Sequence, residues 1–394
     1  MKKTKFLERR DCSAGPIGPV LPKRSLIHVG LLLGAFCFTS IALQAREVNR
    51  IYMVGLDGSI QEMDCTQGFC TTWSVIDQES PETFEPSVVT PLVTLSGYGY
   101  LYQLHHNPSI NDFTMWEYEG SRGWNELDSN GATKSLVAGP MGYTPYLFQL
   151  HNTGRLWQFT GAICNAGGCP GWILLDSNLI KQIVVAGGYY NGQTNNFNIP
   201  PLVQLHYDGP IWQYTGTPCN ATGCPGWREL DRNPAAVQIA GFPDGGMGAS
   251  SEFPNGSIFQ LRNDGSIWSY TGTPCNRTDC PGWKQIDFDP NVTGITAATP
   301  LNRTAGTSLG TEVGRVYKLR NDGSVLELES PFNWVQRDSS GVASIAAAGN
   351  GLVELDGFGA IRFAYDASDC YVCGWQSLNN DYAVAIAVAS VDMQ

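Results

Sequence analysis

From residue 46 onward the chain is written largely in period two. Residues 258–263 alternate apolar and polar side chains, Asp264-Gly265 interrupts them, and residues 267–270 resume the alternation. That pattern predicts a β-hairpin closed by a tight two-residue turn. Asp57-Gly58, Asp208-Gly209 and Asp322-Gly323 repeat the signal. With a two-residue turn, Trp268 falls opposite Leu261 and Tyr270 opposite Phe259, on an apolar face. A third strand runs from Trp283 to Ile286. A fourth is a run of small apolar residues, as at 183–186, 237–240 and 344–348. Helical periodicity is nowhere sustained after residue 46.

The hairpin belongs to a repeat. Residues 202–231 recur closely at 147–176 and 258–287, a version without cysteines runs over 101–128, and weaker copies begin at Ile51, Val316 and Leu352. The tryptophan of a G-W-x-x-L-D element falls at 73, 124, 172, 227, 283, 334 and 375, with Thr72 and Asn333 replacing the glycine in two units. Spacings of 41–56 residues suit a four-stranded propeller blade. The first unit lacks an innermost strand, and residues 383–391 form a spare one at the other end. Pairing the two closes the ring and leaves no open edge. The expected fold is all-β: a seven-bladed β-propeller over 46–394, closed by its C-terminal strand.

Composition supports a packed body, with 42% hydrophobic residues and only 15% charged, against about 25% in an average domain. Net charge is −12. Such a surface repels phosphate backbones and anionic lipid, so no nucleic-acid or membrane partner is expected of the body. Residues 1–45 differ from the rest. Lys2, Lys3, Lys5, Arg9, Arg10, Lys23 and Arg24 precede an apolar run over 26–43, and Ala45 offers a small residue for cleavage. This is the secretory signal pattern. An uncleaved signal anchor is the alternative, because the apolar run approaches the length of a membrane span.

Cysteine usage agrees with export. Beyond Cys12 and Cys37, ten cysteines form five local pairs: Cys65/Cys70, Cys164/Cys169, Cys219/Cys224, Cys275/Cys280 and Cys370/Cys373. Where the loop shortens, before Trp124 and Trp334, both partners vanish together, as an intra-loop disulfide predicts. Oxidised cysteines imply an extracellular compartment. Zinc would need four ligands at one point, which pairs on separate blades do not offer. Sequons at Asn220, Asn255, Asn276, Asn291 and Asn302 add the expectation of a glycoprotein in a eukaryotic secretory pathway.

Catalytic motifs are missing: there is no G-x-S-x-G elbow, P-loop, H-E-x-x-H or dinucleotide fingerprint. No metal, cofactor or catalytic residue is expected. His105, His151 and His206 occupy one repeat position on successive units, unlike a single catalytic base. The Asp of the W-x-x-[L/I]-D element recurs at 77, 128, 176, 231, 287 and 338; capping a local turn explains it better than a calcium site. The aromatic residues carry more information. Seven tryptophans occupy the third strand and read as blade-to-blade anchors. The other four, Trp116, Trp157, Trp212 and Trp268, are each followed two residues later by an aromatic: Tyr118, Phe159, Tyr214 and Tyr270. Units one, six and seven carry Gln61, Leu326 and Arg362 instead. Polar replacements are costly at a fully buried indole site. Two readings stay open: core packing, and contact with a ligand. For a ligand, the rings suit the C–H face of a sugar, while Gln103, Gln149, Gln204, Gln260, His105, His151, His206 and Arg262 suit its hydroxyls.

An innermost run at 237–240 closed by Gly241, followed by IFQLRNDGSIWSYTG and GWKQID, resembles the repeats of tectonin-type propeller lectins and related fungal and bacterial seven-bladed lectins. The resemblance covers 46–394 and rests on repeat grammar; the C-x4-C-P-G-W insert departs from it. It implies a propeller that recognises glycans or glycoconjugates at several sites and gains avidity on multivalent surfaces. Two other readings stand beside it. One is a propeller glycosidase or lyase, which would need a unique acid/base set. The other is a protein-binding adhesin using the long inserts at 189–199, 242–255 and 301–311.

Overall fold

The computed structural model describes residues 46–393 except 56–58, 67–68, 78–91, 95–100, 108–111, 119–122, 131, 139–146, 187–189, 192–195, 198–201, 242–257, 299–314, 331–332, 340, 349–350, 366–374 and 380–382. Among the described residues all regular structure is β-strand. Seven antiparallel sheets are the seven blades of a propeller. Blade 5 shows the plan: Ala236–Gly241 innermost, then Ile258–Arg262, Ser266–Tyr270 and Trp283–Phe288 outermost. Innermost strands of the other late blades are likewise small-residue runs, Val292–Ala298 in blade 6 and Val342–Ala348 in blade 7.

Blade 1 is assembled from both ends of the body. Ala383–Met393 lies antiparallel to Arg46–Gly55, from Arg46↔Met393 to Gly55↔Ala383. This innermost strand touches those of blades 7 and 2, and every other innermost strand touches its two neighbours. The ring is therefore closed as expected, with no innermost strand left at an edge.

Each pair of neighbouring blades has its own core. Phe259, Leu261 and Ile267 of blade 5 pack on Ile295, Val316 and Leu328 of blade 6. On the opposite face, Ile258 and Tyr270 pack on Val203, Leu205 and Ile211 of blade 4. Both faces of the hairpin are thus covered, at about 1.5–3 kcal/mol for each fully buried large side chain. This is why Ile258-Phe259 can be consecutive apolar residues within an alternating strand.

The hairpin turn is one residue longer than the sequence pattern implies. Gly265 N–H donates to the Arg262 carbonyl at 3.0 Å, and Gly265 has φ +83°. The loop is Asn263-Asp264-Gly265, a three-residue turn with its glycine in the left-handed region. A Cβ at Gly265 would also stand 2.2 Å from the Asp289 carbonyl oxygen. Gly209 and Gly323 repeat the bond, to His206 and Arg320. The longer turn shifts the register by one: Gln260 faces Trp268, Leu261 faces Ile267 and Phe259 faces Ser269. The expected pairing of Trp268 with Leu261 is therefore corrected. Trp268 shares its face with Gln260, and Tyr270, two residues on, shares that face too.

Four disulfides form: Cys65–Cys70, Cys164–Cys169, Cys219–Cys224 and Cys275–Cys280. Their loops reach the outermost strand of the preceding blade. Cys219 N–H donates to the Leu174 carbonyl and Cys275 N–H to that of Glu229, each at 3.0 Å. The chain then turns sharply into the G-W element, where a Cβ on Gly226 would stand 1.8 Å from the Thr217 carbonyl oxygen. Asn220 and Asn276 are exposed on these loops. Cys12, Cys37, Cys370, Cys373, Asn255, Asn302, residues 1–45 and the inserts at 242–255 and 301–311 lie outside the described residues. The insert at 189–199 contains a short ribbon, Tyr190–Asn191 paired with Asn196–Phe197.

Candidate functional site

The repeated polar and aromatic positions meet at the seams between blades. Gln at the centre of a blade's second strand donates to the W-x-x-L-D aspartate of the preceding blade. Gln103 Nε2 lies 3.0 Å from Asp77 Oδ2, Gln149 Nε2 2.9 Å from Asp128 Oδ2, Gln204 Nε2 2.6 Å from Asp176 Oδ2 and Gln260 Nε2 2.7 Å from Asp231 Oδ2. The other carboxylate oxygen accepts from the backbone two residues on: Asn130 N–H at 2.9 Å, and Asn178 and Asn233 N–H at 3.0 Å each. One aspartate thus caps a turn in its own blade and fastens the next. Charge-assisted bonds of this buried kind contribute roughly 1.5–3 kcal/mol each. Among the described residues no group of three or more His, Cys, Asp or Glu is placed to hold a metal ion.

The same fastening position varies around the ring. In blade 6 it is Lys318, whose Nζ lies 2.5 Å from Asp287 Oδ2 and 3.1 Å from Asp289 Oδ2. In blade 7 it is Glu354, fully buried. Arg362 places a guanidinium nitrogen 2.5 Å from Asp338 Oδ2 and 3.0 Å from Glu354 Oε2. Burial, then hydrogen bonding and repulsion from Asp338, push the Glu354 carboxyl up to about 9. That shift favours the protonated acid, which, like the amide of Gln elsewhere, has a donor to offer the facing Asp338. In blade 1, Met53 stands at the Gln position, and Asn379 stands where the last blade would carry its aspartate. Sequence reasoning noted the glutamines and aspartates separately and missed that they pair. The joint replacement of both at the closing seam is the signal that could have shown it.

The third-strand tryptophans are blade-to-blade anchors, as expected. Six of the seven indole N–H groups reach a backbone carbonyl of the preceding blade, among them Trp124 to Ile76 at 3.5 Å, Trp172 to Leu127 at 3.0 Å, Trp227 to Leu175 at 2.8 Å, Trp283 to Leu230 at 2.7 Å and Trp375 to Arg337 at 3.0 Å. Trp73 makes the bond across the closing seam, to Leu378 at 3.1 Å. In blade 6 the Trp334 N–H has no partner, and Lys318 Nζ stands 4.6 Å from its ring centroid.

Trp116, Trp157, Trp212 and Trp268 stand elsewhere, each cross-strand from the fastening glutamine. All four are half-buried. Neighbours at the His/Arg repeat position lie alongside. His151 and Trp157 ring centroids are 5.8 Å apart, and His206 and Trp212 are 6.1 Å apart. The Arg262 guanidinium carbon lies 3.9 Å from the Trp268 centroid, and a terminal nitrogen reaches Asp231 Oδ2 at 3.4 Å. His206 Nε2 is 3.0 Å from Gln204 Nε2. Burial holds both imidazoles below the usual histidine range, against the pull of Asp128 and Asp176. They are therefore neutral at pH 7. The side chain of His105 lies outside the described residues.

The partner aromatics are placed differently. Tyr214 and Tyr270 are 3% and 5% exposed, and their rings pack 5.2 Å from Trp227 and Trp283. Tyr118 packs 5.0 Å from Trp124 and is half-buried. The structure thus brings Trp, Gln, Asp and His or Arg together at the seams of Trp157, Trp212 and Trp268. It sets Tyr214 and Tyr270 behind them, in the core.

No family model and no curated protein matches this chain. Solved structures do. The BP39L lectin from Burkholderia pseudomallei is 14% identical, covers 87% of this chain and 99% of its own, and superposes with a TM-score of 0.50. The BBS1N–ARL6DN complex is 11% identical over 82% of this chain and 88% of its own, with a TM-score of 0.49. The SapL1 lectin bound to α-methyl fucoside is 16% identical over 74% of this chain and 92% of its own, with a TM-score of 0.41. At such identities the likeness is one of fold, and one propeller fold hosts many functions.

Proposed function

We propose that this protein is a secreted, multivalent and non-catalytic carbohydrate-binding propeller. Its glycan contacts are drawn from Trp116, Trp157, Trp212 and Trp268 together with His105, His151, His206 and Arg262, while Tyr118, Tyr214 and Tyr270, also candidates from the sequence, pack on the anchor indoles of Trp124, Trp227 and Trp283. The observation that carries the reading is the repeated seam: a half-buried indole beside an imidazole or guanidinium and an amide–carboxylate pair. An aromatic face beside hydroxyl-bonding groups suits a pyranose. The four disulfides support an extracellular setting, reached through removal of residues 1–45. Among the described residues Glu354 and Asp338 form one acid pair and Asp287 and Asp289 another, but Glu354 is buried and bound to Arg362, and the second pair is held by Lys318, which argues against the glycosidase reading.

A glycan array probed with the purified body, residues 46–394, tests the reading. Binding to a defined set of glycans, weakened at least tenfold by W212A, is the expected result. No binding anywhere on the array, or binding unaffected by W157A, W212A and W268A together, overturns it.

A further inference from the structure

The four tryptophan seams are not chemically equivalent: the indole N–H divides them two and two, and the ring face separates Trp268 from Trp157 and Trp212 in the same sense. The first feature is the indole N–H. In Trp116 and Trp268 it donates to a hydroxyl two residues earlier, Thr114 Oγ1 and Ser266 Oγ, each at 2.8 Å. At the corresponding positions before Trp157 and Trp212 stand Arg155 and Pro210, which offer no hydroxyl. Accordingly the Trp157 and Trp212 N–H groups are buried and have no partner. The second feature is the ring face. On Trp268 the Arg262 guanidinium sits in contact, at 3.9 Å. On Trp157 and Trp212 the imidazoles stand off at 5.8 and 6.1 Å.

We infer, on the strength of the carbohydrate-binding reading above, that the seams of Trp157 and Trp212 are the two ligand-competent sites and that they take neutral, hydroxyl-bearing sugars. Each has an unanswered indole N–H in the same seam as a second unanswered atom, His151 Nε2 with Trp157 and Gln204 Oε1 with Trp212. In the Trp268 seam Gln260 Oε1 and Arg262 Nε are unanswered too, but the indole N–H is already bonded to Ser266. A buried donor without a partner costs about 1–3 kcal/mol, so a group that satisfies it is bound at a premium. A hydroxyl both accepts and donates, and so suits an N–H donor as well as an acceptor atom. A carboxylate only accepts, and in these seams it would also meet the carboxyl of Asp128 or Asp176, whose Oδ2 is already paired with Gln149 or Gln204. Sialylated and uronate-bearing glycans are therefore disfavoured.

Indole N–H resonances of the 15N-labelled protein read this directly, because the chain has eleven tryptophans. The probe is the neutral glycan with the strongest array signal, compared with its sialylated form. Trp157 and Trp212 resonances, assigned from W157F and W212F, are expected to shift on titration and the other nine to stay. P210S, which restores the hydroxyl found before Trp268, is expected to weaken the Trp212 site about tenfold and leave the Trp157 shift intact. A folded W157F/W212F double variant, checked by its thermal melt, is expected to lose binding. Shifts at Trp116 or Trp268 of equal size, or equal binding of the sialylated glycan, overturn the assignment and leave the lectin reading standing. An array with no bound glycan overturns both.

Discussion

The seam between blades 4 and 5 and the seam between blades 6 and 7 use the same two positions with opposite acid–base character. In the first, neutral Gln260 donates to Asp231 at 2.7 Å. In the second, Glu354 faces Asp338, and Arg362 bridges the two carboxyls. The constraint on the position is therefore a donor, not a residue type. An amide supplies one as it stands, and an ammonium supplies one with its charge, as Lys318 does between Asp287 and Asp289. A carboxyl supplies one only when protonated, so the donor at that seam depends on pH.

Breaking the charged form of the comparison has the largest effect. K318M leaves Asp287 without its buried cation and should cost about 3–5 kcal/mol, read by chemical unfolding. A wild-type midpoint would show that Arg320 alone carries the site. Next comes the titrating form. The folded Glu354 carboxyl is raised above its unfolded value near 4.3, so the folded state binds the extra proton between about 4.3 and 9. The stability it confers is complete below that window and is lost as pH rises through it. Titration of this group should therefore lower stability progressively as pH rises toward 9. E354Q should flatten that dependence, and parallel unfolding curves for both proteins from pH 5 to 9 would refute the shared proton. Removing one disulfide with C219S/C224S should cost about 2 kcal/mol, seen as a lower melting temperature. The smallest effect contrasts two anchors. W283F loses the N–H bond to Leu230 and should cost roughly 1 kcal/mol beyond W334F, whose indole N–H bonds to nothing.

Much of this was legible before any coordinates. The seven G-W-x-x-L-D tryptophans counted the blades, and the spare run at 383–391 identified the closing strand, because a repeat that lacks one strand must borrow it. Paired loss of cysteines identified the loop disulfides. The four second-strand tryptophans were visible as a set, but the reading of their face went wrong at Asp264-Gly265. That dipeptide closes both two- and three-residue turns. Only the Gly265 N–H bond to Arg262 shows which is formed, and one extra residue changes every cross-strand neighbour. The Gln–Asp pairs were hidden for another reason: Gln260 and Asp231 are 29 residues apart and belong to different blades.

The chain by itself settled the number of repeats, the closure and the oxidised loops, since each follows from local pattern and from what a neighbouring identical unit must supply. Which residues face one another across a seam and which carboxyl must hold a proton were decided only when the blades packed into a ring. Those properties depend on burial and on partners from a second blade, and neither is written in the order of residues within one.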